Sequence, residues 1–209
     1  MAENAILEYA MDDNPIKILV IVILAPILEE LVFRKLLIDR CVVYGEKWAV
    51  IFSGVCFGLF HGNLFQFFYA FFLGCIFAYI YIRSGKMRYT AILHMLINFI
   101  GSVVAPWFIS TIDLEALATL DPIGAPEAAM EIIMENAMGL VLYVLFMLFV
   151  MVMFFWGLAL FINKLNKTHW EAVPSPLPKG TAFKTAYLNV GMILFTLTCI
   201  LLTVFMLFS

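Results

Sequence analysis

The sequence predicts an all-α, polytopic bundle of membrane helices. The 209 residues are 65% hydrophobic and only 13% charged, their mean hydropathy is +1.04, and the apolar residues fall in long runs. These values lie well outside those of a soluble domain. A hydrocarbon core about 30 Å thick takes about 20 helical residues to cross, and about six segments approach that: 16–38, 48–60, 64–82, 89–108, 137–165 and 186–208. One integral-membrane domain, 1–209, is expected, with a core at 16–108, an outer loop at 109–136 and two C-terminal helices in 137–209.

The first segment, Ile16 to Ile38, carries Glu29 and Glu30 side by side, with Arg34 four residues beyond Glu30. An ionisable residue at the centre of a membrane helix costs roughly 2.5–3.5 kcal/mol on insertion scales, which makes this cluster a candidate functional site. Residues four apart share a helix face, so Glu30 and Arg34 can pair. Glu29 is rotated by about 100° and needs another partner: a proton, a histidine or water. The second segment, Trp48 to Phe60, is short for a crossing. Only Gly62 and Asn63 separate it from the third, Leu64 to Ile82, so the two are expected to turn within the bilayer, where irregular backbone must be buried in protein or line a wet cavity. Phe57 and His61 share a face at the end of segment two, and His94 and Asn98 share one in segment four, Tyr89 to Phe108. A single membrane histidine or asparagine is often interhelical glue worth about 0.6 kcal/mol; it is their recurrence with the acids that points to one site. Ser53 and Ser102 fit helix packing better than nucleophilic catalysis.

Between segments four and five, Ser110 to Asn136 contains Asp121-Pro122 and Ala125-Pro126, which suit short surface helices. Between segments five and six, Asn166 to Thr185 contains Pro174, Pro176 and Pro178, which favour an extended strap, and His169 there is expected to be solvated. Apart from Lys17, the basic residues cluster on one side: Arg34, Lys35, Arg40, Lys47, Arg83, Lys86, Arg88, Lys164, Lys167, Lys179 and Lys184. Cytoplasmic loops carry such an excess. The other side holds Glu3, Glu8, Asp12 and Asp13 and the acidic loop with Asp113, Glu115, Asp121, Glu127, Glu131 and Glu135, so both termini are expected outside. The net charge of −3 averages the two faces, and no nucleic-acid-binding stripe is visible. Cys41, Cys56, Cys75 and Cys199 have no paired spacing and read as small apolar residues.

Three motifs occur in order: Glu29-Glu30-Leu-Val-Phe-Arg34, Phe57-Gly-Leu-Phe-His61 and His94-Met-Leu-Ile-Asn98. They match Glu-Glu-x-x-x-Arg, Phe-x-x-x-His and His-x-x-x-Asn, so the chain resembles the CAAX-endopeptidase and bacteriocin-processing (CPBP, or Abi) family of intramembrane proteases from about Ile16 to Gly101. Almost nothing precedes the first motif, where members usually carry additional helices, and upstream helices are expected to be missing from this form of the chain. The resemblance implies that Glu29 is the general base, that His61 holds and polarises the attacking water, and that His94 and Asn98 hydrogen-bond the oxyanion. Glu30 and Arg34 would orient the helix. Metal-free catalysis is the expected mode. The rival is a zinc site in which Glu29, His61 and His94 supply three ligands and leave a fourth position open; the His-Glu-x-x-His signature is absent. The expected partners are membrane lipid and a peptide or prenylated-protein substrate at the inner membrane face. A transporter or a non-catalytic scaffold are the other classes weighed: the polar groups converge at one depth instead of crossing the bilayer, no inverted repeat is evident, and all three motifs are intact.

Overall fold

In the computed structural model the described residues are 14–170, 181, 184–185 and 188–208, the side chains of 65 and 206–208 excepted. Glu3, Glu8, Asp12 and Asp13 of the acidic tail and the strap prolines Pro174, Pro176 and Pro178 lie outside them. Among the described residues the secondary structure is helical throughout: α1 Pro15–Ile18, α2 Ala25–Glu30, α3 Glu46–Phe60, α4 Leu64–Ser84, α5 Met87–Phe99, α6 Ala105–Ser110, α7 Leu114–Ala118, α8 Pro126–Asn166 and α9 Val190–Phe208. This is the all-α class the composition predicts.

Three helical stretches are long and apolar enough to cross a membrane: Gln66–Ser84, Met87–Ser110 and Pro126–Asn166, with Val190–Phe205 a shorter apolar helix. Among the described residues these stretches do not confirm the expected count of about six. The run 16–38 carries Lys17, Glu29, Glu30, Arg34 and Lys35, and α3 has only 15 residues. Conversely, α8 has 41 residues. At about 1.5 Å per residue it is about twice as long as a hydrocarbon core is thick, and its first turns take in residues 126–136, expected in the outer loop.

The helical run through the first motif alternates between α and wider π geometry, with π stretches at Leu19–Leu24 and Leu31–Ile38. A third π stretch, Ile100–Val104, leads into α6. Two of the three are followed by Ala-Pro, Ala25-Pro26 and Ala105-Pro106. Proline inside a helix has no N–H to donate and its ring clashes with the carbonyl four residues back. The local widening accommodates both, as the Ala25 N–H reaches back five residues to the Val20 carbonyl and the Ala105 N–H to that of Ile100. Such π insertions recur at functional sites.

The chain divides into two compact units. The first comprises Met1–Ala25 and Met95–Lys167, and α8 is its longest helix. Here α6 and α7 pack on α8: Phe108 stacks on Phe146 at 4.7 Å between centroids, and the Asn136 amide oxygen accepts from the Asp113 N–H at 2.6 Å. Asp113 in turn caps α7 by accepting from the Ala116 N–H at 2.9 Å.

The second unit comprises Pro26–His94 and Thr168–Ser209. Its most extensive helix contact is between α3 and α4. Gly54 and Gly58, four apart on α3, let the two backbones approach: a Cβ on Gly54 would collide with the Cys75 sulfur, and one on Gly58 would lie 2.9 Å from the Phe67 carbonyl oxygen. Helices in lipid gain little from excluding water and associate through such close packing of small residues. Gly62, at φ 61°, turns the chain after His61, and Asn63 starts α4 by accepting from the Gln66 N–H at 3.3 Å. A turn at Gly62-Asn63 is therefore present. A small core of Phe33, Cys56, Phe57, Ala70 and Met192 fixes the first-motif run and α9 against α3. At one end of the unit the Arg83 guanidinium pairs with Glu46 at 2.7 Å and lies over the Tyr79 and Trp170 rings, each at 5.6 Å. Nearby in sequence to the first motif, Lys35 pairs with Asp39 at 2.7 Å, and the Tyr81 hydroxyl donates to Asp39 at 2.8 Å.

Candidate active site

Within the second unit the first-motif run, α3, α4 and α5 enclose a group of polar side chains in otherwise apolar surroundings. Glu30 and Arg34 are both fully buried and form a two-pronged ion pair, Nε to Oε2 at 2.8 Å and Nη2 to Oε1 at 3.1 Å. Bidentate pairing of this kind is the strong form of the interaction. The guanidinium lies over Phe57 at 5.1 Å and Phe77 at 5.7 Å, contacts that suit a desolvated cation. Its Nη1 donates to the Ser53 hydroxyl at 2.6 Å, which itself donates to the Phe33 carbonyl at 3.1 Å.

His94, 4% exposed, stands between the two acids. Its Nδ1 is 3.2 Å from Glu30 Oε1, and its Nε2 is 3.8 Å from Glu29 Oε2. Because Glu30 serves as carboxylate to Arg34 it accepts, so Nδ1 of His94 is the donor. The other ring nitrogen is thereby turned toward Glu29. Thr90, also fully buried, donates its one hydroxyl hydrogen to the Met87 carbonyl at 2.9 Å.

Glu29 differs from Glu30 in every respect that matters to chemistry. Its side chain is 17% exposed against 0% for Glu30, and its Oε2 is buried without a hydrogen-bond partner among the described residues. A buried polar atom left unpaired costs free energy, of the order of 1–3 kcal/mol, and such atoms in native proteins ask for an explanation. His61 is close enough to Glu29 to act on it electrostatically. The His61 ring is half-buried, with Nδ1 2.8 Å from the Phe57 carbonyl; a carbonyl only accepts, so Nδ1 carries the hydrogen and Nε2 offers its lone pair. Phe57 lies edge-on to both imidazoles, at 4.9 Å from His61 and 5.6 Å from His94.

Of the residues singled out in the sequence, the second unit thus brings together Glu29, Glu30, Arg34, His61 and His94. Asn98 belongs to the first unit, where its amide donates to the Ile21 carbonyl at 3.0 Å. That carbonyl is one the Ala25 N–H bypasses, and five residues beyond it stands Pro26 with no hydrogen to give. Asn98 supplies the missing donor and keeps a second amide N–H. Ser53 and Thr90 are polar partners that the sequence reading did not assign to the site. Among the described residues, no group of three or more His, Cys, Asp and Glu side chains is arranged to hold a metal ion.

The fold and this site define a class: a helical membrane protein with a buried glutamate–histidine cluster. Residues 12–100 match the family model described as Type II CAAX prenyl endopeptidase Rce1-like, a stretch that contains all three motifs. The match supports placing this stretch with the CAAX-endopeptidase and bacteriocin-processing family of membrane peptidases. Neither the curated proteins nor the solved structures contain a match.

Proposed function

We propose that the chain is an intramembrane endopeptidase of CAAX type, in which Glu29 and His61 activate a water molecule and His94 and Asn98 stabilise the oxyanion. The observation that carries this reading is the unpaired Glu29 Oε2, buried beside His94 and within electrostatic reach of His61. Glu29 accepts a proton from the water as it attacks the scissile carbonyl, with the His61 Nε2 lone pair free to hold that water's other hydrogen. Peptide hydrolysis needs a base within hydrogen-bond reach of the proton it removes, and an acid fully engaged in an ion pair, as Glu30 is, cannot serve. The tetrahedral oxyanion receives hydrogen bonds from His94, whose Nε2 carries a hydrogen at this stage while Nδ1–H stays on Glu30, and from the Asn98 amide. Such donors are worth about 3–4 kcal/mol each in a dry site. The product amine then takes the proton from Glu29.

The substrate is a prenylated protein tail or a membrane peptide presented at the inner face, the side on which the basic residues cluster. The test is direct. The purified chain should hydrolyse a peptide bearing a farnesylated cysteine three residues from its C-terminus, and prolonged chelation should leave the rate unchanged. Loss on chelation with recovery on adding zinc would overturn the metal-free mechanism and keep the peptidase. Orientation is read separately: an impermeant thiol reagent outside intact cells should label a cysteine introduced at Asp121 and spare one introduced at Ser175. The reverse pattern would place the site at the outer face.

A further inference from the structure

We infer that Ser53 is a positioning residue of this site, setting the imidazole of His94 through Arg34 and Glu30. The inference rests on the peptidase reading for its meaning in turnover. Its geometric basis is a continuous set of buried hydrogen bonds in which every direction is fixed by chemistry. The Phe33 carbonyl can only accept, so the Ser53 hydrogen points there at 3.1 Å. The Ser53 lone pairs then face Arg34 Nη1 at 2.6 Å, and the guanidinium can only donate. The remaining edge of the guanidinium is committed to Glu30, whose Oε1 receives both Nη2 at 3.1 Å and His94 Nδ1 at 3.2 Å.

Ser53, Arg34 and Glu30 are each 0% exposed, so water does not replace a partner that is lost. With Ser53 removed, Nη1 loses its acceptor, and the guanidinium is free to turn toward the Glu30 carboxylate that already binds its Nε and Nη2. A guanidinium that turns toward it displaces the oxygen shared with His94 and rotates the ring away from Glu29. Catalytic groups are sensitive to such movement: a 1 Å misplacement can cost about 10²-fold in rate. A serine that merely filled space between helices would tolerate alanine, because the change removes one oxygen from an interface.

The experiment uses the full chain in detergent, labelled with ¹⁵N-histidine. The sequence holds three histidines, His61, His94 and His169, so each ring signal is assignable with His61→Gln and His169→Gln. Ser53→Ala and Ser53→Cys, the latter close in volume but a weak acceptor, should move the His94 ring resonances and leave those of His169 in place. Both should lower kcat about tenfold, a part of the loss that full misplacement would bring, with KM unchanged. Ser53→Thr, which keeps the hydroxyl, should restore both readouts. A folded Ala or Cys variant with unmoved His94 signals or unchanged kcat overturns the proposal. So does unfolding of both while Ser53→Thr folds, which would assign Ser53 to stability alone. The two readings fail separately. Full activity in Glu29→Gln would remove the peptidase assignment while the His94 signals still report on Ser53; an inactive Glu29→Gln with unmoved His94 signals would remove only the role of Ser53.

Discussion

The two compact units of this chain bury different things. The unit of Pro26–His94 and Thr168–Ser209 encloses Glu30, Arg34, Glu46, Ser53, Thr90 and His94, whereas the buried polar side chain of Met1–Ala25 and Met95–Lys167 among the described residues is Asn136. The surface of α8 is apolar and open: Met138, Phe149 and Trp156 are 71%, 63% and 66% exposed, the profile of a helix that faces lipid. In lipid an exposed apolar side chain has its preferred solvent, so its exact shape matters little. A buried charge has no such tolerance, because its environment must supply every partner. The contrast supports the proposed site: the costly arrangement is concentrated in the unit that also holds the unpaired glutamate oxygen.

Substitutions should separate the units by their cost. The largest effect is expected for Glu30→Gln, which leaves Arg34 buried without its counter-charge. Breaking a buried pair costs about 3–5 kcal/mol, so thermal unfolding in detergent should show a collapse in melting temperature or no folded protein at all. Gly54→Leu comes next. Its side chain would enter the α3–α4 contact, where overpacking costs about 1–3 kcal/mol, and the melting temperature should drop clearly without loss of the fold. On α8, Phe149→Ala should fall within about 0.5 kcal/mol, as surface substitutions do. A loss for Phe149→Ala as large as that for Gly54→Leu would erase the distinction between the units.

The same contrast explains what the sequence makes legible. Glu29, Glu30, Arg34, His61, His94 and Asn98 stand out because each interrupts an apolar run, and the four-residue spacings say which share a face. The Glu30–Arg34 pair follows from that spacing and is present at 2.8 Å. The bond from Arg34 to Ser53 joins residues 19 apart in the chain, and a serine among apolar neighbours carries no mark of its partner. Gly54-x-x-x-Gly58 was a readable sign of the close α3–α4 contact. Glu127, Glu131 and Glu135, spaced by four, carry the helical period that runs into α8, a signal masked by Asp121-Pro122 and Ala125-Pro126, which read as breaks between short surface helices. The switch to π geometry is not visible in hydrophobic periodicity. Only Pro26 and Pro106 hint at it, and the Ile21 carbonyl that Asn98 caps could not be foreseen without that register.

The division of labour between two adjacent acids is the centre of this account, and one pair of measurements on one variant reads it. Glu29→Gln retains size and one acceptor oxygen while removing the base. It should melt within a few degrees of the parent protein, by an estimate of about 1 kcal/mol or less, and hydrolyse the farnesylated peptide at no measurable rate. A Glu29→Gln protein that turns over substrate at the parent kcat would contradict the account, and with it the assignment of Glu29 as the base.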